Sequence, residues 1–145
     1  GEWSQPEGLG KKINTEGNEK SPFLHPDKKT LYFSSDGHRG LGGFDIFFAK
    51  MKKSGAGYEW ETPRNIGYPI NSEDNDLGFF VSTDGQTGYF SSTNESEKYA
   101  SLGGWDLYYF PLYDGARPAE IVFLKGELKD EKESRLLVVA WMLPM

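Results

Sequence analysis

The chain has 145 residues, of which 37% are hydrophobic and 15% aromatic, so it is too apolar for a disordered segment. Its net charge of −6 excludes a nucleic-acid partner that needs a basic surface, and the lack of cysteine excludes disulfides and cysteine-bound metals. No apolar run reaches the roughly 20 residues of a membrane-spanning helix. Because the chain begins at Gly1 rather than Met, we expect an excised or processed piece of a longer protein.

The first 113 residues contain two copies of one pattern. The residues of the first copy that recur 57 residues later are Trp3, Gly10, Ile13, Asn14, Phe23, Asp27, Tyr32, Phe33, Ser34 and Ser35. The string from Gly42 to Phe47 recurs 61 residues later, so the second copy has four extra residues between 94 and 102. A fixed period over this length indicates stacked supersecondary units.

Each copy predicts four short strands in the same order, and no segment has the apolar period of a helix. A Trp-led stretch comes first, followed by a strand at 22–24 or 77–82. A turn with Pro or Gly then leads to an aromatic strand at 30–34 or 87–91, and a Gly-rich loop precedes a last strand at 45–51 or 106–112. Four strands joined by hairpin turns are typical of one β-propeller blade. Residues 114–145 predict a linker and two more strands around a turn at 130–133.

The strings 21–36 and 42–47 closely resemble the Pro-Asp repeat of TolB-type β-propellers. The variant with Ile-Asn-Ser and Gly-Gly-X-Asp-Ile resembles repeats in large OmpA-family cell-envelope proteins of Bacteroidetes. The resemblance covers residues 1–113, with one repeat at about 1–56 and the next at about 57–113. The second copy departs from it, because Ser82-Thr83-Asp84 replaces His25-Pro26-Asp27. The tail resembles the first strands of a carboxypeptidase-regulatory-like β-sandwich.

The resemblance implies an all-β chain of two four-stranded blades, a partial propeller, followed by the start of a sandwich-like domain. Propellers usually need about four to eight blades, so further blades are expected outside this chain. It also implies a periplasmic, outer-membrane-associated protein whose peptidoglycan attachment lies in a domain absent here. The implied partners are other envelope proteins, among them components of type IX secretion.

Candidate binding residues lie in the loops. His38 and Arg39 are in the first Gly-rich loop, Tyr99 is in the stretch unique to the second copy, and Trp105 follows the second Gly-Gly pair. His25 is expected to be structural. By their repetition, Tyr32, Phe33, Tyr89 and Phe90 are predicted to form the core between the blades.

Chemistry by the chain itself has little support in the sequence. It has no Gly-X-Ser-X-Gly motif, no cysteine and only two histidines, so we predict no enzyme activity. We predict no cofactor, with calcium as the alternative, because residues 74–76 and the loop from Asp36 to Asp45 offer oxygen ligands. Asp45 recurs as Asp106, which favours a structural role for both.

Three functions follow from these patterns. The first is a non-enzymatic scaffold whose loops bind another envelope protein. The second is a glycan-binding or peptidoglycan-binding module that stacks Trp105 or Tyr99 on sugar rings. The third is an accessory propeller of an envelope hydrolase whose chemistry lies in another domain.

Overall fold

The computed structural model describes residues 2–95, 100–129 and 135–144, with side chains described for 2–95 and 100–122. This part of the chain contains ten β-strands and no helix, so no helix in it is long and apolar enough to cross a membrane. The strands are β1 (Glu19–Leu24), β2 (Thr30–Ser35), β3 (Asp45–Ser54), β4 (Gly57–Trp60), β5 (Arg64–Asn65), β6 (Asp76–Val81), β7 (Thr87–Ser92), β8 (Asp106–Pro111), β9 (Ile121–Lys129) and β10 (Arg135–Pro144). The predicted all-β class is confirmed.

The strands form three antiparallel sheets. The first has the order β1-β2-β3-β4, with β5 also paired to β3; the second has the order β6-β7-β8; the third is the β9–β10 hairpin. Aromatic and β-branched residues make up half of β2, β6, β7 and β8, as expected for pleated, buried surfaces. The two strands predicted in the tail are confirmed, while the turn predicted between them, at 130–133, lies outside the described residues.

The predicted four strands per copy do not form, because the sequence repeat and the sheets are out of phase. The Trp-led stretch of the second copy becomes β4 and pairs with β3, where Trp60 lies opposite Met51. It therefore completes the sheet of the first copy. No Trp-led stretch follows β8, so the second sheet keeps three strands in the described part.

The main core lies between the first and second sheets. Tyr32, Ile46 and Phe48 point from the first sheet towards β6, and the rings of Tyr32 and Phe79 are 4.8 Å apart. The opposite face of the first sheet has a smaller core of Ile13, Leu31, Phe33, Phe47 and Ala49, with Trp60 against it. The two sheets are thus stacked face against face by these buried side chains.

Asn71 fastens the second copy to the first. Its side-chain Oδ1 accepts a hydrogen bond from Ile46 N–H (2.8 Å), and its Nδ2 donates to Ile46 C=O (2.9 Å). Asn71 is fully buried and stands where another strand would pair with β3. A tight turn orients it, because the N–H groups of Ile70 and Asn71 both donate to Gly67 C=O. We call this pair of bonds the asparagine tie.

The segment after β8 returns to the first sheet. The buried Tyr32 hydroxyl donates to Ala116 C=O (2.5 Å), and Ala119 N–H donates to the Asp27 carboxylate (2.9 Å). Leu112, fully buried in the main core, begins this segment. Residues 112–119 therefore connect the two sheets by hydrogen bonds as well as by packing.

Candidate functional site

The Gly-Gly loop of the second copy, residues 101–105, is fastened by the aspartate that follows it. Asp106 Oδ2 accepts hydrogen bonds from Leu102 N–H (2.8 Å) and from the Ser101 hydroxyl (2.9 Å), and Gly103 N–H donates to that hydroxyl. In the first copy, Asp45 Oδ2 accepts hydrogen bonds from Leu41 N–H (2.9 Å) and Gly42 N–H (3.2 Å). The structural role inferred from this repetition agrees with these contacts.

The fastened loop presents apolar side chains to solvent. Leu102 is 93% exposed and Trp105 is 53% exposed. Gly103 and Gly104 have positive φ values of 90° and 75°, a conformation that side-chain-bearing residues rarely adopt. Leu41, the counterpart of Leu102 in the first copy, is 55% exposed. Large apolar groups held outward on an ordered loop are typical of a recognition surface.

The other predicted binding residues have different surroundings. His38 is half-buried, with its ring 5.2 Å from the Phe47 ring and 5.7 Å from the Phe33 ring. Its Nε2 lies 2.9 Å from Ile13 C=O, so this nitrogen carries the proton and donates. His38 thus fastens the first loop to the smaller core. Arg39 beside it is exposed, and Tyr99 lies outside the described residues.

One acidic residue at the start of the first strand of each sheet closes the preceding loop. Glu19 accepts hydrogen bonds from Thr15 N–H (3.1 Å), the Thr15 hydroxyl (2.7 Å) and the Ser35 hydroxyl (2.9 Å). Asp76, its counterpart, accepts from Ser72 N–H (2.7 Å) and the Ser72 hydroxyl (3.1 Å). These carboxylates are bound to their own loops in both copies.

Asp76 and Asp45 differ from ordinary surface carboxylates in their burial. Both side chains are buried, and Oδ1 of each has no hydrogen-bond partner among the described residues. Burial raises the pKa of Asp76, and the nearby negative charge of Asp45 raises it further. These effects outweigh the hydrogen bonds with Ser92 and Ser72, which lower the pKa. No group of three or more His, Asp or Glu residues that could hold a metal ion is present among the described residues. Calcium remains a hypothesis.

The His25-Pro26-Asp27 turn is a buried polar centre. Asp27 accepts hydrogen bonds from Lys29 N–H, from the N–H and hydroxyl of Thr30, and from Ala119 N–H. Burial alone would raise the pKa of Asp27, but these hydrogen bonds outweigh burial and hold the pKa below its usual value.

Burial lowers the pKa of His25 more than the nearby Asp27 raises it, so the imidazole is neutral at pH 7. Its Nδ1 accepts from Asp27 N–H at 3.2 Å, which places the proton on Nε2. His25 is 1% exposed, and its Nε2 has no hydrogen-bond partner among the described residues. This buried position agrees with the structural role expected for His25.

The second sheet has an exposed apolar face, whose individual residues the sequence did not identify as exposed. It consists of Phe80, Tyr89, Leu107 and Tyr109, and we call it the outer aromatic face. Phe80 and Tyr89 are stacked with ring centroids 4.9 Å apart, and the Tyr109 ring lies 6.3 Å from that of Tyr89. The prediction that Tyr89 belongs to the core was wrong: it is exposed because no described sheet covers this face, whereas Tyr32, Phe33 and Phe90 are buried as predicted.

These features define an all-β protein of stacked antiparallel sheets with apolar groups on one ordered loop and one open sheet face. No protein-family model, curated protein or solved structure matches the chain.

Proposed function

We propose that the chain is a non-enzymatic scaffold that binds another protein through the loop bearing Leu102 and Trp105. The carrying observation is the exposure of these two side chains on a loop whose backbone and Ser101 hydroxyl bond to Asp106. A pre-ordered loop loses little conformational entropy on binding, and a large aromatic flanked by an aliphatic group is a common centre of binding energy. Exposed Arg39 adds a charged group on the matching loop of the first copy.

Further support comes from the contacts of the histidines and aspartates, the residue types that most often act in catalysis. Both histidines are engaged in local structure, His25 inside the Pro-Asp turn and His38 against the smaller core. Asp45 and Asp106 bind their own loops. These roles favour a scaffold over a catalyst.

We further propose that the two stacked sheets are blades of a TolB-type β-propeller in an OmpA-family envelope protein. The support is the repeat itself and the equivalent strands β1-β2-β3 and β6-β7-β8, which share register and loop-closing residues. As part of the same proposal, the protein lies in the periplasm, associated with the outer membrane, with secretion or envelope proteins as partners and peptidoglycan contacted by another domain.

Affinity capture from a Bacteroidetes envelope extract tests the scaffold function. The bait is the tagged chain, with a Leu102→Ala/Trp105→Ala variant beside it and Tyr58→Ala as the matched control. Tyr58 is an exposed aromatic on β4, away from this loop. We expect reproducible enrichment of specific envelope proteins that is lost in the double variant and kept in the control. Equal capture by all three baits would reject the loop as the binding surface.

Glycan binding is the second candidate, because the half-exposed Trp105 indole can stack on a sugar ring. A titration with muropeptides or oligosaccharides, read by tryptophan fluorescence, tests it. A saturable change that disappears in Trp105→Phe, while the chain's other tryptophans remain, would favour the glycan module. A constant signal would leave the scaffold as the better account.

A further inference from the structure

Two aspartates meet where the second copy joins the first. Asp45 follows the first Gly-Gly loop and begins β3, and Asp76 begins β6. The Asp76 N–H donates to Phe44 C=O at 2.7 Å, so Asp76 lies next to the peptide bond that leads into Asp45. The two segments in which the sequence offered calcium ligands, residues 74–76 and the loop that ends at Asp45, are therefore in contact at this junction.

The loops that bind the two carboxylates pack against each other. Asp45 Oδ2 accepts a hydrogen bond from Gly42 N–H (3.2 Å), and Asp76 Oδ2 accepts one from Ser72 N–H (2.7 Å). Gly42 lies against Ser72, because a Cβ added at Gly42 would be 2.6 Å from the Ser72 carbonyl oxygen. The negative charge of Asp45 also raises the pKa of Asp76. The two carboxylates are thus close enough for their charges to interact.

Both carboxylates are buried without a cation. Asp45 is 1% exposed and Asp76 0%, and Oδ1 of each has no hydrogen-bond partner among the described residues. No Lys or Arg in the described part of the chain forms an ion pair with either one. The Lys20 ammonium instead lies over the Phe44 ring, 4.1 Å from its centroid. Buried charges in folded proteins are paired or bind a metal ion, because an unpaired one is strongly unfavourable.

The related carboxylates of the first copy do not share this arrangement. Glu19, the counterpart of Asp76, accepts hydrogen bonds with both of its carboxylate oxygens. Asp36, in the same loop as Asp45, binds Asn18 with both oxygens and is exposed. Among the described residues, only the carboxylates of Asp45 and Asp76 combine burial with an oxygen that has no partner.

We propose that Asp45 and Asp76 together bind one calcium ion through their Oδ1 atoms. Two carboxylates supply two negative charges, which a divalent cation balances. The junction offers oxygen atoms and neither sulfur nor imidazole, a set that suits a hard cation. Ca²⁺ accepts irregular sets of carboxylate and carbonyl oxygens, whereas Mg²⁺ needs octahedral geometry and keeps several waters. With two acidic side chains in the site, the other ligands are backbone carbonyls and water.

A cation at this place stabilises the junction of the two copies. It joins the loop before β3 to the start of β6, on the same side of the first sheet as the asparagine tie. This inference goes beyond the proposed function, which concerns the loop at 101–105. Calcium binding is measured on the chain alone, whereas the capture experiment needs a partner protein, so either proposal can fail without the other.

Isothermal titration calorimetry of CaCl₂ into the full chain, after treatment with EDTA and dialysis, tests the proposal. The variants are Asp45→Asn and Asp76→Asn, which keep the side-chain size and one oxygen acceptor while removing one negative charge. The matched control is Asp36→Asn, which removes an exposed charge from the same loop.

We expect one calcium ion per chain for the unmodified protein and the control, and an affinity lower by about tenfold or more in each junction variant. Calcium at about 100 times its dissociation constant should raise the thermal unfolding midpoint of the unmodified chain by roughly 5 °C or more. No calcium binding by the unmodified chain, or unchanged affinity in either junction variant, would overturn the proposal. Tighter binding of MgCl₂ than of CaCl₂ would overturn the choice of ion.

Amide NMR spectra of the unmodified chain provide a second measurement if a junction variant loses its strand signal in circular dichroism. CaCl₂ should shift the N–H signals of Leu41, Gly42 and Ser72, which donate to the two carboxylates. The N–H signal of Gln86, which donates to the exposed Asp84, should stay in place. Shifts confined to residues away from the junction would reject the site.

Discussion

The Pro-Asp turn of the first copy and its counterpart in the second have nearly the same backbone and very different surroundings. His25 N–H donates to Thr30 C=O at 2.9 Å, and Ser82 N–H donates to Thr87 C=O at 2.8 Å. Asp27 is buried and also accepts a hydrogen bond from Ala119, whereas Asp84 is exposed and, among the described residues, accepts hydrogen bonds from within its own turn only. Local sequence thus sets the turn, while distant residues set its burial.

The largest difference is expected when each aspartate is removed. Asp27→Ala removes a buried carboxylate that accepts from the buried N–H of Thr30 and from the partly buried N–H groups of Lys29 and Ala119, so unfolding free energy should fall by about 3 kcal/mol. Asp84→Ala exposes its donors to water and should cost about 1 kcal/mol or less. Urea unfolding monitored by tryptophan fluorescence measures both. Equal losses would show that the residues 116–119 add nothing to the first turn.

The asparagines of the two copies give the next largest contrast. Asn71→Ala removes both bonds to the Ile46 backbone in a buried place and should cost about 2 kcal/mol. Asn14→Ala should change stability by about 0.5 kcal/mol or less because that side chain is exposed. The same unfolding experiment separates them, and a large effect of Asn14→Ala would contradict this contrast by showing that Asn14 also stabilises the fold.

His25 in the first turn should make its own contribution to the pH dependence of stability, which the variants below isolate from those of other shifted groups such as Asp76. The pKa of His25 is lowered in the folded chain, so below the ordinary value of 6.5 the unfolded chain binds a proton that the folded chain refuses. Unfolding free energy should therefore fall as pH decreases from 7 to 5. His25→Asn keeps an acceptor for Asp27 N–H and should flatten this decrease. The second copy has Ser82 at this position, and Ser82→Ala supplies the control whose pH profile must stay like that of the parent.

The smallest effects are expected at the bulge shared by β1 and β6. Ser21 has φ of 49° and its counterpart Gly78 has φ of 68°, each where the strand pairing shifts register. Glycine adopts positive φ without strain, so Ser21→Gly should raise unfolding free energy by about 0.5 kcal/mol and Gly78→Ala should lower it by about 1 kcal/mol. Thermal unfolding resolves both signs. A loss in Ser21→Gly would mean that the Ser21 side chain stabilises the bulge.

Sequence reasoning predicted what depends on local pattern. Turn residues, alternating apolar strands and the repeated Asp45 and Asp106 predicted the antiparallel strands and the loop-closing carboxylates. It did not predict the exposure of Tyr89, because repetition equates Tyr89 with Tyr32 while burial depends on whether another sheet lies above. The pairing of β4 with β3 was missed for a similar reason: the period shows that a unit repeats and leaves open where one sheet ends.

The candidate site was predicted in part. Trp105 was identified from its place after the second Gly-Gly pair. Leu102 was missed although Leu41 precedes the first Gly-Gly pair in the same way, because repetition alone does not show that a side chain is exposed. The signal for Asn71 was present in the repeated Ile-Asn pair. The role of Asn71 could not be predicted from that pair, because its hydrogen-bond partner, Ile46, lies 25 residues away in the other copy.

The bond from the Tyr32 hydroxyl to Ala116 C=O has a consequence for where this region can be cut. A fragment that stops at residue 113 keeps every strand of both sheets and loses the acceptor for a buried phenol, together with the Ala119 N–H that binds Asp27. A fragment extended to residue 120 keeps both. The shortest fragment that folds stably is therefore expected to extend several residues beyond the repeat, which ends at residue 113. Limited proteolysis should leave residues 114–120 uncut.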